Sequence, residues 1–187
     1  MTTLFRRGPI VLVFALLAAC APLAQRDAPL AQADGCVGHV ITPPAGLVEV
    51  QDQALLTEAL GKPAEGKLCT GKVFVATQPV TVYLVYDAAK SYTLYGRWWA
   101  LSSPHGPREQ YQLDNDICPE WSPLDMASSC TVKPGTKIAI GPGQSAQCAK
   151  DLLPASATNQ VYIPNDSRNN VLFVENCTTG RAWPSHD

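Results

Sequence analysis

The chain has 187 residues, 14 Lys and Arg against 16 Asp and Glu for a formal charge of −2, and 46% hydrophobic residues. A near-neutral balance with no basic run argues against nucleic acid as a partner, because phosphate binding is driven by clustered Lys and Arg. About 150 residues remain beyond the N-terminal segments described next, which is one ordinary domain with room for a sizeable core.

Residues 1–19 read as an export signal. Arg6 and Arg7 form a positive start, and residues 10–19 are an unbroken apolar run. That run is about ten residues, whereas a helix needs roughly 20 to cross the ~30 Å hydrocarbon layer, so it fits a leader and not a permanent span. Gly8-Pro9 after the arginines does not fit a twin-arginine signal. The run closes on Leu17-Ala18-Ala19-Cys20, which resembles the cleavage motif of bacterial lipoproteins. The resemblance is confined to this motif and its apolar prelude. It implies cleavage before Cys20, acylation of the Cys20 sulfur by palmitate-type chains and attachment to a membrane. Ala21 is not the Asp that retains such proteins at the inner membrane, so the implied location is the outer membrane, facing the periplasm or the cell surface. Ordinary secretion is the alternative, with cleavage after Ala31-Gln32-Ala33 or within Ala19-Cys20-Ala21. Loss of Arg6 and Arg7 would leave 12 basic side chains against 16 acidic, a charge of −4.

Residues 20–35 carry a near-repeat, Ala-Pro-Leu-Ala-Gln-Arg-Asp followed by Ala-Pro-Leu-Ala-Gln-Ala-Asp. It is too polar and Pro-broken to pack, and reads as a tether. At ~3.5 Å per residue it would reach about 50 Å when extended.

Residues 36–187 read as a single disulfide-stabilised β domain. Its cysteines are Cys36, Cys69, Cys118, Cys130, Cys148 and Cys177, an even number in an oxidising compartment, which predicts three disulfides. Six cysteines allow 15 connectivities. Pairing nearest neighbours gives 36 with 69, 118 with 130 and 148 with 177. No C-x-x-C pair occurs, so no metal site and no cofactor are expected.

Residues 47–50 suggest a short strand. Asp52 is placed to cap one short helix bearing Ala54, Leu55, Leu56, Ala59 and Leu60 on one side, stopped by Gly61 and Pro63. From residue 72 onward the texture is β, with strands expected over 72–77, 80–86, 93–101, 109–113, 130–132, 136–140, 160–163 and 171–175. Both faces of 80–86 are apolar, which predicts a central strand. Pro134-Gly135, Gly141-Pro142-Gly143 and Pro164-Asn165-Asp166 read as turns. The fold class is mainly β, a small disulfide-braced sandwich or barrel with one short N-terminal helix.

Alternation over residues 95–101 puts Tyr95, Arg97 and Trp99 on one strand face, opposite Trp98. With one tryptophan filling the core, Trp99 beside Arg97 and Tyr95 would make an aromatic and cationic binding surface for a sugar, peptide or protein; the structural alternative is that both rings are buried between a sheet and a loop. Asp114-Asn115-Asp116 opens an acidic stretch, but Pro119 stands where a calcium loop needs Gly and Asp125 where it needs a bidentate Glu, so a turn pinned by Cys118 is expected. Residues 141–147 lack the Lys of a phosphate loop and the second Gly of a nucleophile elbow. His39, His105 and His186 form no ligand or catalytic spacing and read as surface residues.

The expected function is a non-catalytic cell-envelope lipoprotein whose β domain binds another macromolecule, a protein or a glycan, as an assembly accessory or an inhibitor. No catalytic residue is identified. The alternatives are a small glycan or peptidoglycan hydrolase using carboxylates among Glu109, Asp114, Asp116 and Glu120, and a structural envelope protein. Two or more acyl chains, at about 0.8 kcal/mol per buried methylene, give a stable anchor. A Cys20→Ser variant is therefore expected in the soluble envelope fraction, and its persistence in the membrane fraction would rule out the lipid anchor.

Overall fold

A computed structural model describes residues 35–184, and the leader, Cys20, His186 and almost all of the tether lie outside the described residues. The elements in chain order are β1 (Leu47–Val50), α1 (Gln53–Ala59), β2 (Lys72–Ala76), β3 (Val80–Tyr86), β4 (Trp98–Ala100), α2 (Arg108–Asp114), β5 (Met126–Val132), β6 (Lys137–Gly143), β7 (Ala146–Gln147), β8 (Leu152–Leu153), β9 (Ser156–Tyr162), β10 (Val174–Glu175) and β11 (Arg181–Ala182). The fold is mainly β, a single sheet curled into a half-barrel and braced by three disulfides. Its strand order is β1-β2-β6-β9-β4-β3-β5-β10, every neighbour antiparallel, with β11 also on β5 and β7-β8 as a separate hairpin.

Strand alternation divides the sheet into two apolar faces, and both are buried. The inner face gathers Phe74, Val82, Leu84, Trp99, Val132, Ile138, Ile140, Val161 and Ile163 into the largest core. Each fully buried Val, Leu or Ile there contributes about 1.5–3 kcal/mol. The outer face is covered in two patches. At one end α1 lays Leu55, Leu56 and Ala59 on Val73, Ala139 and Tyr162. At the other, Tyr111 of α2 packs with Val85, Leu124, Ala127 and Trp183, its ring meeting Trp183 edge-on at 5.0 Å. Between β4 and β5, β3 is internal as its two apolar faces require.

Helix α1 starts where Asp52 predicts, its carboxylate accepting from the Leu55 N–H at 3.1 Å. Residues 109–113, expected as a strand, are instead helix α2. Glu, Gln and Leu are strong helix formers, Glu is also weak in strands, and Pro107 stands immediately before the first turn. Over 93–101 only Trp98–Ala100 is strand. Ser91–Tyr95 is a 3-10 helix in which the Thr93 hydroxyl donates to the Lys90 carbonyl at 2.6 Å, a local bond that competes with a ladder. Gly141-Pro142-Gly143 ends β6 and is no turn, Pro142 being tolerated at the irregularity in its pairing with β9.

The bridges are Cys36–Cys69, Cys118–Cys148 and Cys130–Cys177. The first is the nearest-neighbour pair, whereas the other two overturn that pattern. Cys130 lies inward on β5, where the chain after β10 brings Cys177, while Cys118 follows α2 and meets the β7-β8 hairpin. Removing a bridge that spans 47 residues, as Cys130–Cys177 does, lowers stability by about 4 kcal/mol in the chain-entropy model. A Cys130→Ala/Cys177→Ala variant should show that loss in its urea midpoint, and an unchanged midpoint would contradict the bridge.

Candidate binding pocket

The two outer-face covers do not meet. Between them, Trp98 on β4, Gln160 on β9 and Val85 on β3 line the sheet side of a cavity of about 210 Å³, walled by Tyr111, Asp116 and Trp121. Lys67 and Arg97 also line it. Trp98 and Tyr162 are cross-strand partners whose ring centroids stand 5.0 Å apart. The Tyr162 hydroxyl donates to the Glu58 carboxylate at 2.6 Å, and Arg97 Nη1 donates to the same oxygen at 3.2 Å. Burial, reinforced by the bond to Glu58, pushes the Tyr162 phenol up to about 12, so it remains a donor across the physiological range. Lys67 Nζ donates to the Glu58 carbonyl at 3.2 Å, so three side chains tie down this wall.

The opposite wall depends on how α2 ends. Asn115 caps it, the Ile117 N–H donates to the Gln112 carbonyl at 2.9 Å, and Asp116 between them has φ of 52°. This is a Schellman ending with Asp in the left-handed position that glycine usually takes, at a cost of about 1 kcal/mol. The conformation turns the Asp116 side chain toward the sheet, where it is 3% exposed. Oδ2 accepts from Gln160 Nε2 at 3.2 Å, and Oδ1 is buried without a hydrogen-bond partner. Gly143 makes the space: a Cβ there would lie 1.7 Å from Oδ2. Burial first, and the neighbouring Asp114 second, push the Asp116 carboxyl up to about 7. A few residues on, Cys118 is bonded to Cys148 and Trp121 stands half exposed over Gly66.

The expected surface of Tyr95, Arg97 and Trp99 is not one surface. Trp99 is 3% exposed in the inner core, its Nε1 donating to the Gly96 carbonyl at 2.8 Å. Its register opposite Val161 turns it inward and gives the outward place to Trp98. Tyr95 lies in the 3-10 helix, half-buried against the inner core and away from the pocket, whereas Arg97 and the buried Trp99 both contribute to its lining. Among Glu109, Asp114, Asp116 and Glu120, only Asp116 lines it. Asp114 accepts from Gln110, Glu120 from the Ala149 N–H, and Asp125 from the Ala88 N–H, so the acidic stretch is divided among separate partners. Glu120 also lies beside Cys118 and Cys148, but their sulfurs are bonded to each other and are not thiolates. His105 and His39 are exposed.

Compared with protein-family models, curated proteins and solved structures, the chain matches none.

Because the folded state holds the Asp116 proton more tightly than an unfolded chain with the ordinary value of 3.8, the associated stability is complete below about pH 4 and is lost as pH rises through about 7. Asp52 and Asp166 are both held below the usual carboxylate range by hydrogen bonds, chiefly from Lys137 and Asn169 respectively. They stay ionised from pH 5 to 8 and do not mask the effect. The urea midpoint should correspond to roughly 2 kcal/mol less stability at pH 8 than at pH 5, discounted from full burial because the group borders a cavity. Asp116→Asn should flatten the difference, and a wild-type midpoint equal at both pH values would contradict the burial of an unpaired acid.

Proposed function

We propose that this chain is a cell-envelope lipoprotein, tethered through Cys20, whose β domain binds another macromolecule without catalysing a reaction, and that the cavity over Trp98 receives a ring or side chain of that partner. The observation that supports this most is the concentration of aromatic surface and fixed polar groups in one concave place. Trp98, Tyr111 and Trp121 line it together with Arg97, Asn115 and Gln160. Binding sites characteristically combine apolar walls with a few well-placed polar groups. Tryptophan, tyrosine and arginine are the residue types that dominate binding energy at interfaces. Three disulfides fit a domain that works outside the cytoplasm.

One observation favours the hydrolase reading: a carboxyl pushed up to about 7 has the proton affinity of a general acid. Against it, Asp116 Oδ1 is closed off from solvent, and no second carboxylate lines the cavity among the described residues. Glycoside hydrolysis commonly uses two facing carboxyl groups about 5–9.5 Å apart.

The binding reading is tested by placing a photo-cross-linking amino acid at position 121 in intact cells, with position 72 on β2 as the comparison. A discrete adduct from position 121 and none from 72 is expected. Identical adducts from both positions, or none from 121, would overturn it.

A further inference from the structure

We infer that the pocket takes one sugar ring of a glycan, with Trp98 and Trp121 facing the ring's C–H surfaces and Arg97, Asn115 and Ser122 meeting its hydroxyl edge. The inference rests on the binding reading above and narrows it to a class of ligand.

Size sets the first limit. The cavity is about 210 Å³. A cavity of about 150 Å³ admits benzene, while pockets for drug-sized ligands run from about 300 Å³ upward. One substituted six-membered ring therefore fits, whereas a helix does not.

The lining sets the second. Trp121 is 51% exposed although it borders a cavity, so part of its ring is available for contact. Polar atoms of both kinds remain in the same lining. Asn115 donates through Nδ2 to the Tyr111 carbonyl, which leaves its Oδ1 as an acceptor. Ser122 Oγ accepts from the Leu124 N–H and keeps its own O–H to donate. Arg97 uses Nε and Nη1, leaving Nη2 without a hydrogen bond among the described residues. A purely hydrocarbon ligand would strip water from these groups and return nothing. A hydroxyl both donates and accepts, so a ring edged with hydroxyls answers both kinds.

Charge sets the third. Lys67 and Arg97 stand against a cationic ligand, and a neutral one meets no such penalty. A neutral ring with C–H faces and a polyhydroxyl edge is a hexopyranose.

The test is saturation-transfer NMR on the intact mature protein in a detergent without a sugar headgroup. The probes are D-glucose, D-galactose, D-mannose and N-acetyl-D-glucosamine, with N-acetyl-tyrosinamide standing for an inserted peptide side chain. At least one sugar should bind with millimolar affinity, the range for a ligand of about a dozen non-hydrogen atoms. Trp121→Ala should weaken that binding about tenfold, and Trp121→Phe should retain most of it. The half-exposed position of Trp121 lets both variants fold, which their urea midpoints verify. Absence of binding by all four sugars, sugar binding unchanged in Trp121→Ala, or binding of N-acetyl-tyrosinamide alone would each overturn the sugar assignment. If adducts still form at position 121 in cells while no sugar binds, the binding reading stands and only the ligand class falls.

Discussion

The burial of the Asp116 carboxyl against Gly143 of β6 is the constraint on which the pocket depends. A carboxyl at this depth is tolerated at acid pH because it keeps its proton, burial raising its pKa to about 7. Held there, it fixes the end of α2 in a left-handed turn and carries the following chain across the outer face to Cys118 and Trp121. The Gln160 amide, which donates to Asp116 Oδ2 and to the Asn115 carbonyl, joins this turn to the middle of the sheet. Removing Cβ at Gly143 is what gives the carboxyl its place.

The sheet explains why there is a gap for this turn to border. A single curled sheet cannot bury both of its faces in itself, so the inner face forms the main core and the outer face must be covered by other elements. Two helices of seven residues each are too short to cover it, since each spans only about 10 Å. Between them, over β4 and β9, lies the cavity that Trp98 and Gln160 line. The disulfides hold the loose parts in register: the chain before β1, the turn after α2 and the segment after β10 are each bonded to the body of the fold. They stabilise mainly by limiting the unfolded chain, which suits a small domain built from short strands.

Much of this fold was legible in the residues. The Asp52 cap, the apolar stripe of α1, the two-faced β3 and the even cysteine count each follow from local physics and each hold. What was not legible depends on distant contacts. Cys118 pairs with Cys148 and not Cys130 because the β7-β8 hairpin reaches the turn after α2, a proximity that spacing along the chain does not carry. The order of inward and outward tryptophans depends on the register of β4 against β9, and a one-residue offset exchanges Trp98 with Trp99. The 109–113 helix was within reach of propensity alone, since Glu, Gln and Leu after Pro107 favour a helix. Asp116 carried no local signal: its burial comes from Gly143, 27 residues later, in a stretch whose glycines and proline read as a turn.

The most direct measurement is the carboxyl titration of Asp116 itself, followed by carbon-13 NMR on selectively labelled protein. A midpoint near 7 is expected, together with a change in the indole signal of Trp121 over the same pH range. A midpoint near 4 would show that the carboxyl is solvated, and would remove the buried turn on which one wall of the pocket stands.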